Sequence, residues 1–251
     1  MCLTLFFWSI TFYKAIRLVD WSSVVARTSV SGIRFEFKFD PLKLLQILRG
    51  KRLMFVGDSV QRGQFESMVC MFDASIEYYW APFIVESISD HATKHTVLKR
   101  LVKLDSIAKH GKHWEGVDIL VFESYVWWMH KPTINATYGS PNDVQEYNVT
   151  TAYKLALQTW AEWLESRINP ERQKVFFMIM SPTLLCDENC YNVSHPIQGS
   201  YWGTGSSTKI MDIIDDTLQD FKVKVTFLNI TQLSEYRKDA HQFMGNARAS
   251  S

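Results

Sequence analysis

A chain of 251 residues that is 47% apolar is long enough for one α/β domain with a sizeable core. Its net charge of +1 offers neither a basic excess for nucleic acid nor an acidic solvating arm. Nine Trp, ten Tyr and sixteen Phe serve a core first and, where clustered, can serve as stacking platforms for sugars.

Taken in chain order, Met1 to Tyr13 is apolar, with Lys14 and Arg17 after it. It is short for a membrane span and has no basic segment before it, so no convincing anchor is read there. Leu53 to Val56 reads as a buried strand that stops at Gly57, Asp58 and Ser59. Phe65, Met68, Val69 and Phe72 follow at i, i+3, i+4, i+7, one face of a helix. Ser59 therefore stands where a strand ends and a helix begins. Either Ser59 or Asp58 caps that helix, or Ser59 uses the unpaired N–H groups there to hold an oxyanion as it attacks an ester.

Further strands are expected at Val117 to Phe122, Val175 to Met180 and Val223 to Ile230. Between them, Ala152, Leu155, Ala156, Trp160, Trp163, Leu164 and Ile168 give a helical face that ends at Asn169 and Pro170. Ile210, Met211, Ile213, Ile214, Leu218 and Phe221 give another, with Ser206 or Ser207 as its cap. Strands alternating with helices imply an α/β fold, a mainly parallel sheet with helices on both faces. Sites in such sheets lie at the carboxyl ends of the strands. That rule puts Ser59, Glu123 to Tyr125 and Ser181 to Thr183 along one rim. Loops are expected at Gly139 to Asn142 and at Gly199 to Ser207.

Cys186 and Cys190 lie four apart, but no second Cys/His pair follows, only His195, so no metal site is assigned. A disulfide is the better reading on a secretory route. Four sequons, at Asn135, Asn148, Asn192 and Asn229, favour that route.

Five separated stretches together resemble the plant trichome-birefringence-like proteins, closest in wording to the members that acetylate xylan. They are Leu48 to Ser67, Tyr79 to Ser87, Gly116 to Met129, Met180 to Thr183 and Leu228 to His241. The resemblance divides the chain into an unmatched segment 1–33, a partial PC-esterase domain 34–241 and a tail 242–251 unlike the family. It implies a GDSL/SGNH-like esterase fold, shortened at its C-terminus. It implies a type II Golgi membrane protein that transfers acetyl to a wall polysaccharide, with xylan as the expected acceptor. Ser59 is then the nucleophile, in a motif with Gly57 and Asp58, and Arg62 stands near the oxyanion site. No bound cofactor is expected; the acetyl donor is left open between acetyl-CoA and a relayed acetyl group. Tyr79, Trp80, Trp127, Trp128 and Trp202 are candidate glycan-binding residues.

The departures concern competence. The family's Asp-x-x-His motif is absent from this chain. A serine without its base is a weak nucleophile. Of the seven histidines, His241 with Asp239 is the nearest substitute, two apart rather than three. Glu123 stands where the family has Asn; an ionised carboxylate only accepts hydrogen bonds and opposes an oxyanion. Leu184 stands where members have His. An acetyltransferase, a catalytically weak glycan-binding member and an acetyl esterase all remain open at this level.

Overall fold

In the computed structural model, the described residues are 41–71, 76–94, 100–179, 207–219 and 222–231. The chain divides into two units, and one of them, Asp40–Met180 with Ser207–Leu228, holds every element described below.

Helix α1, Pro41–Leu48, buries Leu44 and Leu48. The expected first strand forms as β1, Leu53–Gly57, and all five of its residues are buried. A continuous apolar run suits a strand covered on both faces. Helix α2, Ser59–Met71, follows directly and leads into β2, Ile76–Trp80. Of the expected helix face, Met68 is buried and Phe65 half-buried, whereas Val69 is exposed. Phe72 lies outside the described residues.

After β3, Leu101–Lys103, come helix α3, Ala108–Trp114, and β4, Ile119–Glu123. The short helix α4, Val126–Met129, precedes a hairpin of β5, Thr133–Thr137, and β6, Val144–Asn148. Gly139, at φ +77°, supplies the left-handed turn conformation there. The long helix α5, Val149–Arg167, ends before Asn169 and Pro170 as expected. Strand β7, Lys174–Met178, helix α6, Thr208–Gln219, and β8, Val225–Leu228, complete the described elements.

Among the described residues, the main sheet runs β2-β1-β4-β7-β8, and every pairing in it is parallel. The α/β class expected from the sequence is present. Strand order reverses direction between β1 and β4, which makes the crevice beyond their carboxyl ends the topological switch point. Helices lie on both faces. Phe55 of β1 meets Phe65 of α2, their rings 6.5 Å apart. On the other face, Phe122 of β4 packs edge-on against Trp114 of α3 at 5.0 Å and Trp160 of α5 at 5.2 Å. Gly111 makes room for Trp163, since a Cβ there would come within 2.2 Å of the indole nitrogen. A smaller sheet, β3-β5-β6, carries a parallel and an antiparallel pairing. No helix of the described residues is long and apolar enough to cross a membrane.

Candidate active site at the carboxyl ends of β1 and β4

The site begins with Gly57, the last residue of β1. A Cβ here would stand 2.7 Å from the Glu123 carbonyl oxygen and 2.8 Å from Gln61 Cβ. Glycine is therefore the residue that lets β1, β4 and α2 converge at this point. Gln61 completes the junction: it is buried, and its Nε2 donates to the Val121 carbonyl at 2.7 Å.

Asp58, not Ser59, caps α2. Its Oδ1 accepts from the Val60 N–H at 2.7 Å, and its carbonyl accepts from Arg62 N at 3.0 Å. The backbone turn is also held from β2, where Tyr78 Oη donates to the Asp58 carbonyl at 2.9 Å. Ser59 is left exposed as the first residue of the helix. Among the described residues, none hydrogen-bonds its hydroxyl. Arg62 lies one turn on from Ser59, at i+3, so the two share a helix face. Its guanidinium is exposed and pairs with Glu66 at 2.8 Å.

Beneath this turn two carboxyl groups are buried together, Asp58 and Glu123, both with no solvent exposure. Burial pushes the Asp58 carboxyl up to about 6, against the pull of the Val60 N–H, the Glu123 carboxyl and the Gln61 N–H. Burial, then the Asp58 charge beside it, holds Glu123 well above the usual carboxylate range. The expectation that Glu123 stands at the rim as an ionised acceptor is corrected here, because a carboxyl in this setting resists losing its proton.

Ser124 locks the other wall. Its Oγ donates to the Pro82 carbonyl at 3.0 Å and accepts from Trp128 Nε1 at 2.9 Å, and its carbonyl accepts from Tyr153 Oη at 2.8 Å. The segment bolted on in this way, Ala81 to Val85, is wholly buried and contains Ile84 at φ +66°. A β-branched residue in that region is strained by about 1–2 kcal/mol, so the surroundings must enforce it.

The candidate glycan-binding aromatics fare differently. Trp80, Trp127 and Trp128 are core residues, 9%, 4% and 1% exposed, packed around Phe83 and Tyr153. Rings enclosed in this way offer no platform to a ligand. Tyr79 is half-buried and stacks on His113 with ring centres 4.9 Å apart. Trp202, Asp239 and His241 lie outside the described residues, as do Cys186, Cys190 and Ser181 to Thr183.

An Asp–His pair does occur elsewhere. Asp90 Oδ2 lies 3.2 Å from His110 Nε2, and both side chains are buried. His110 Nδ1 in turn lies 3.1 Å from Tyr79 Oη, whereas Nε2 faces Asp90 without a hydrogen bond of good geometry. Burial raises the Asp90 carboxyl, but the His110 contact and charge and the Ser87 hydrogen bonds together bring it below its ordinary value. The sequence pass missed this cluster, since its members are twenty residues apart. Glu123 and Tyr78 escape notice as partners of Asp58 for the same reason.

Of the sequons, Asn135 and Asn148 are exposed, Asn229 is half-buried and Asn192 lies outside the described residues. Asn148 caps α5 by accepting from Thr150 N at 3.0 Å through Oδ1, not through the Nδ2 that a glycan would take.

The sequence pattern of the PC-Esterase family, described as GDSL/SGNH-like acyl-esterases found in Pmr5 and Cas1p, matches residues 37–76 and 72–250. Protein trichome birefringence-like 31 of Arabidopsis thaliana is 60% identical over 81% of this chain and 58% of its own length. Probable xylan O-acetyltransferase 8 of Oryza sativa subsp. japonica is 42% identical over 81% of the chain and 55% of its own length. Protein trichome birefringence-like 3 of Arabidopsis thaliana is 40% identical over 81% and 56%. The chain thus spans little more than half the length of these relatives.

Proposed function

Because the chain belongs to the PC-esterase family of GDSL/SGNH-like acyl-esterases, we propose that it is a polysaccharide O-acetyltransferase with xylan as acceptor. The observation that carries the reading is an exposed serine, Ser59, at a helix N-terminus in the switch-point crevice of a parallel sheet.

Ser59 Oγ attacks the carbonyl carbon of an acetyl donor, either acetyl-CoA or an acetyl ester relayed from another carrier. The C–O bond to serine forms as a base takes the hydroxyl proton, and that base hands the proton to the donor's leaving group as its bond to the acetyl carbon breaks. Backbone N–H groups at the start of α2, assisted by the Arg62 guanidinium swung from Glu66, stabilise the oxyanion. A sugar hydroxyl then attacks the acetyl-serine, and its proton returns through the same base. Asp239 and His241 are the candidates for the base and its orienting carboxylate. The proposed setting is the Golgi membrane, with glycans on Asn135 and Asn148.

The test is acetyl transfer to a xylo-oligomer by the full chain from a secretory host, beside Ser59→Ala and His241→Ala. Acetylated oligomer formed by the wild type and reduced at least about 10³-fold in Ser59→Ala is the expected result. Acetate released without acceptor modification would reassign the site to an esterase. Oligomer binding with no turnover in folded wild type would overturn the catalytic reading and leave a glycan-binding member.

A further inference from the structure

We propose that Asp58 and Glu123 hold a single proton between their carboxyl groups, with Glu123 as the neutral donor, and that Glu123 is thereby a positioning residue for the turn carrying Ser59. Both side chains have no solvent exposure. Asp58 Oδ2 and both Glu123 carboxyl oxygens are buried, and none receives a hydrogen bond from an N–H or hydroxyl of the described residues. Glu123 ends β4 beside the end of β1 that leads into Asp58, with the Gly57 Cβ position 2.7 Å from the Glu123 carbonyl oxygen, and the Asp58 carboxyl is its charged neighbour.

Two uncompensated charges in this position would each carry the desolvation cost of a buried ion and would repel one another. The groups around them supply no remedy. Tyr78 on β2 commits its hydroxyl to the Asp58 carbonyl, and Tyr153 on α5 commits its own to the Ser124 carbonyl. Tyr125 Oη, after β4, accepts from Ser207 N. On α2, Arg62 is exposed and tied to Glu66. Backbone N–H groups of Asp58 and Tyr125 lie near Glu123 and offset the burial only in part.

The proton belongs on Glu123 because the two environments differ. Asp58 accepts the Val60 N–H at 2.7 Å at the N-terminus of α2, where the helix favours an anion. The Asp58 and Tyr125 N–H groups near Glu123 make no such hydrogen bond to its carboxyl oxygens, so Glu123 keeps the hydrogen and gives it to Asp58. Ionising both would drive Asp58 away from the helix end it caps and loosen the turn before Ser59. Raising the pH therefore works against this turn. The unfolded chain releases both protons in the ordinary carboxylate range, while the folded chain retains them higher. Stability from this pair is present in full at low pH and is lost as pH rises through the raised folded values.

The experiment compares the full wild-type chain with Glu123→Gln, which mimics the neutral acid, and with Asp58→Asn, by thermal melts across pH and by infrared titration. Neither readout depends on turnover, so failure here is distinct from failure of the acetyl-transfer reading. The wild type is expected to lose about 3 °C of Tm per pH unit between about pH 5 and pH 7, and Glu123→Gln to flatten that slope. A protonated-carboxyl band persisting at neutral pH in the wild type, absent from Glu123→Gln and titrating lower in Asp58→Asn, is the direct signature. No such band at neutral pH, or an unchanged slope in Glu123→Gln, would overturn the proposal. Should Glu123→Gln fail to fold, the wild-type and Asp58→Asn spectra decide it.

Discussion

Replacing Gly57 by alanine adds one methyl group where three elements meet. The new Cβ would lie 2.7 Å from the Glu123 carbonyl oxygen and 2.8 Å from Gln61 Cβ. Neither neighbour is the free end of a flexible side chain. The first is backbone of β4, registered against β1 from Leu53 to Val56, and the second is rooted in α2 and pinned by the Gln61–Val121 hydrogen bond of 2.7 Å. Relief requires β1 and β4 to part, or α2 to slide, by several tenths of an ångström. Overpacking of this kind costs about 1–3 kcal/mol. In a domain of this size that lowers Tm by about 3–10 °C. The same shift moves Ser59, the next residue but one, and misplacement by about 1 Å can cost about 10²-fold in rate. Thermal melts of Gly57→Ala, alone and combined with Gln61→Ala, check the reasoning. Alanine at 61 removes only the Cγ contact, keeps the Cβ contact at 2.8 Å and the one with β4, and gives up the Gln61–Val121 hydrogen bond, so the double variant should recover none of the loss. A single variant melting within about 1 °C of wild type would refute the close approach of β1 and β4.

Ser124→Ala removes a hydroxyl that serves two buried partners, Pro82 O and Trp128 Nε1. A loss of about 2–4 kcal/mol in denaturant unfolding is expected, and a loss under about 0.5 kcal/mol would show that other groups fill in. Asp90 carries a depressed carboxyl pKa, so its stabilisation is present above its unfolded value and lost as pH falls through the folded one. Asp90→Asn should thus lower Tm at neutral pH while sparing the acid end of the profile. Equal losses across both regions would count against the His110 ion pair.

The parts of the fold legible in the sequence are those whose burial is complete. Strands β1, β4 and β7 carry nearly continuous apolar runs because helices cover both their faces. Strand β2 escaped notice because it is an edge strand, half-exposed from Ile76 to Tyr79, whose composition is not that of a core strand. The second sheet was hidden more deeply: β6 runs Val-Gln-Glu-Tyr-Asn and is almost wholly exposed. Its pairing rests on backbone hydrogen bonds that leave no apolar period to read. At the candidate site, position singled Ser59 out, since a strand ending in Gly-Asp-Ser before a helix is a local pattern. Partnership did not, since Glu123 and Tyr78 meet Asp58 and Gly57 only through strand register. The tryptophans misled for a related reason. Adjacent Trp127 and Trp128 look like a platform on paper, but a four-residue helix at the end of a buried strand turns both into the core.

The same register settles whether His110 can serve Ser59. Successive strand residues face opposite sides of a sheet. Tyr78 reaches the Asp58 carbonyl and stacks on Phe65 of α2 with ring centres 5.7 Å apart, so it marks the side on which α2 and Ser59 stand. Tyr79, its neighbour, meets His110 and Trp114 of α3. His110 is therefore on the opposite side of β2. Its Nδ1 is engaged with Tyr79, and its Nε2 is buried against the Asp90 carboxyl at 3.2 Å. A general base needs a ring nitrogen free to take the proton and within about 3 Å of the hydroxyl. The Asp90–His110 pair fails on distance, since it lies across the sheet from α2, although it has the carboxylate–imidazole contact that would identify a base by proximity alone. What that pair does instead is fasten the loop after β2, through Ser87 and Lys109, to the helix beneath it. On the acetyl-transfer reading proposed above, the base for Ser59 is expected on the Tyr78 side of the sheet.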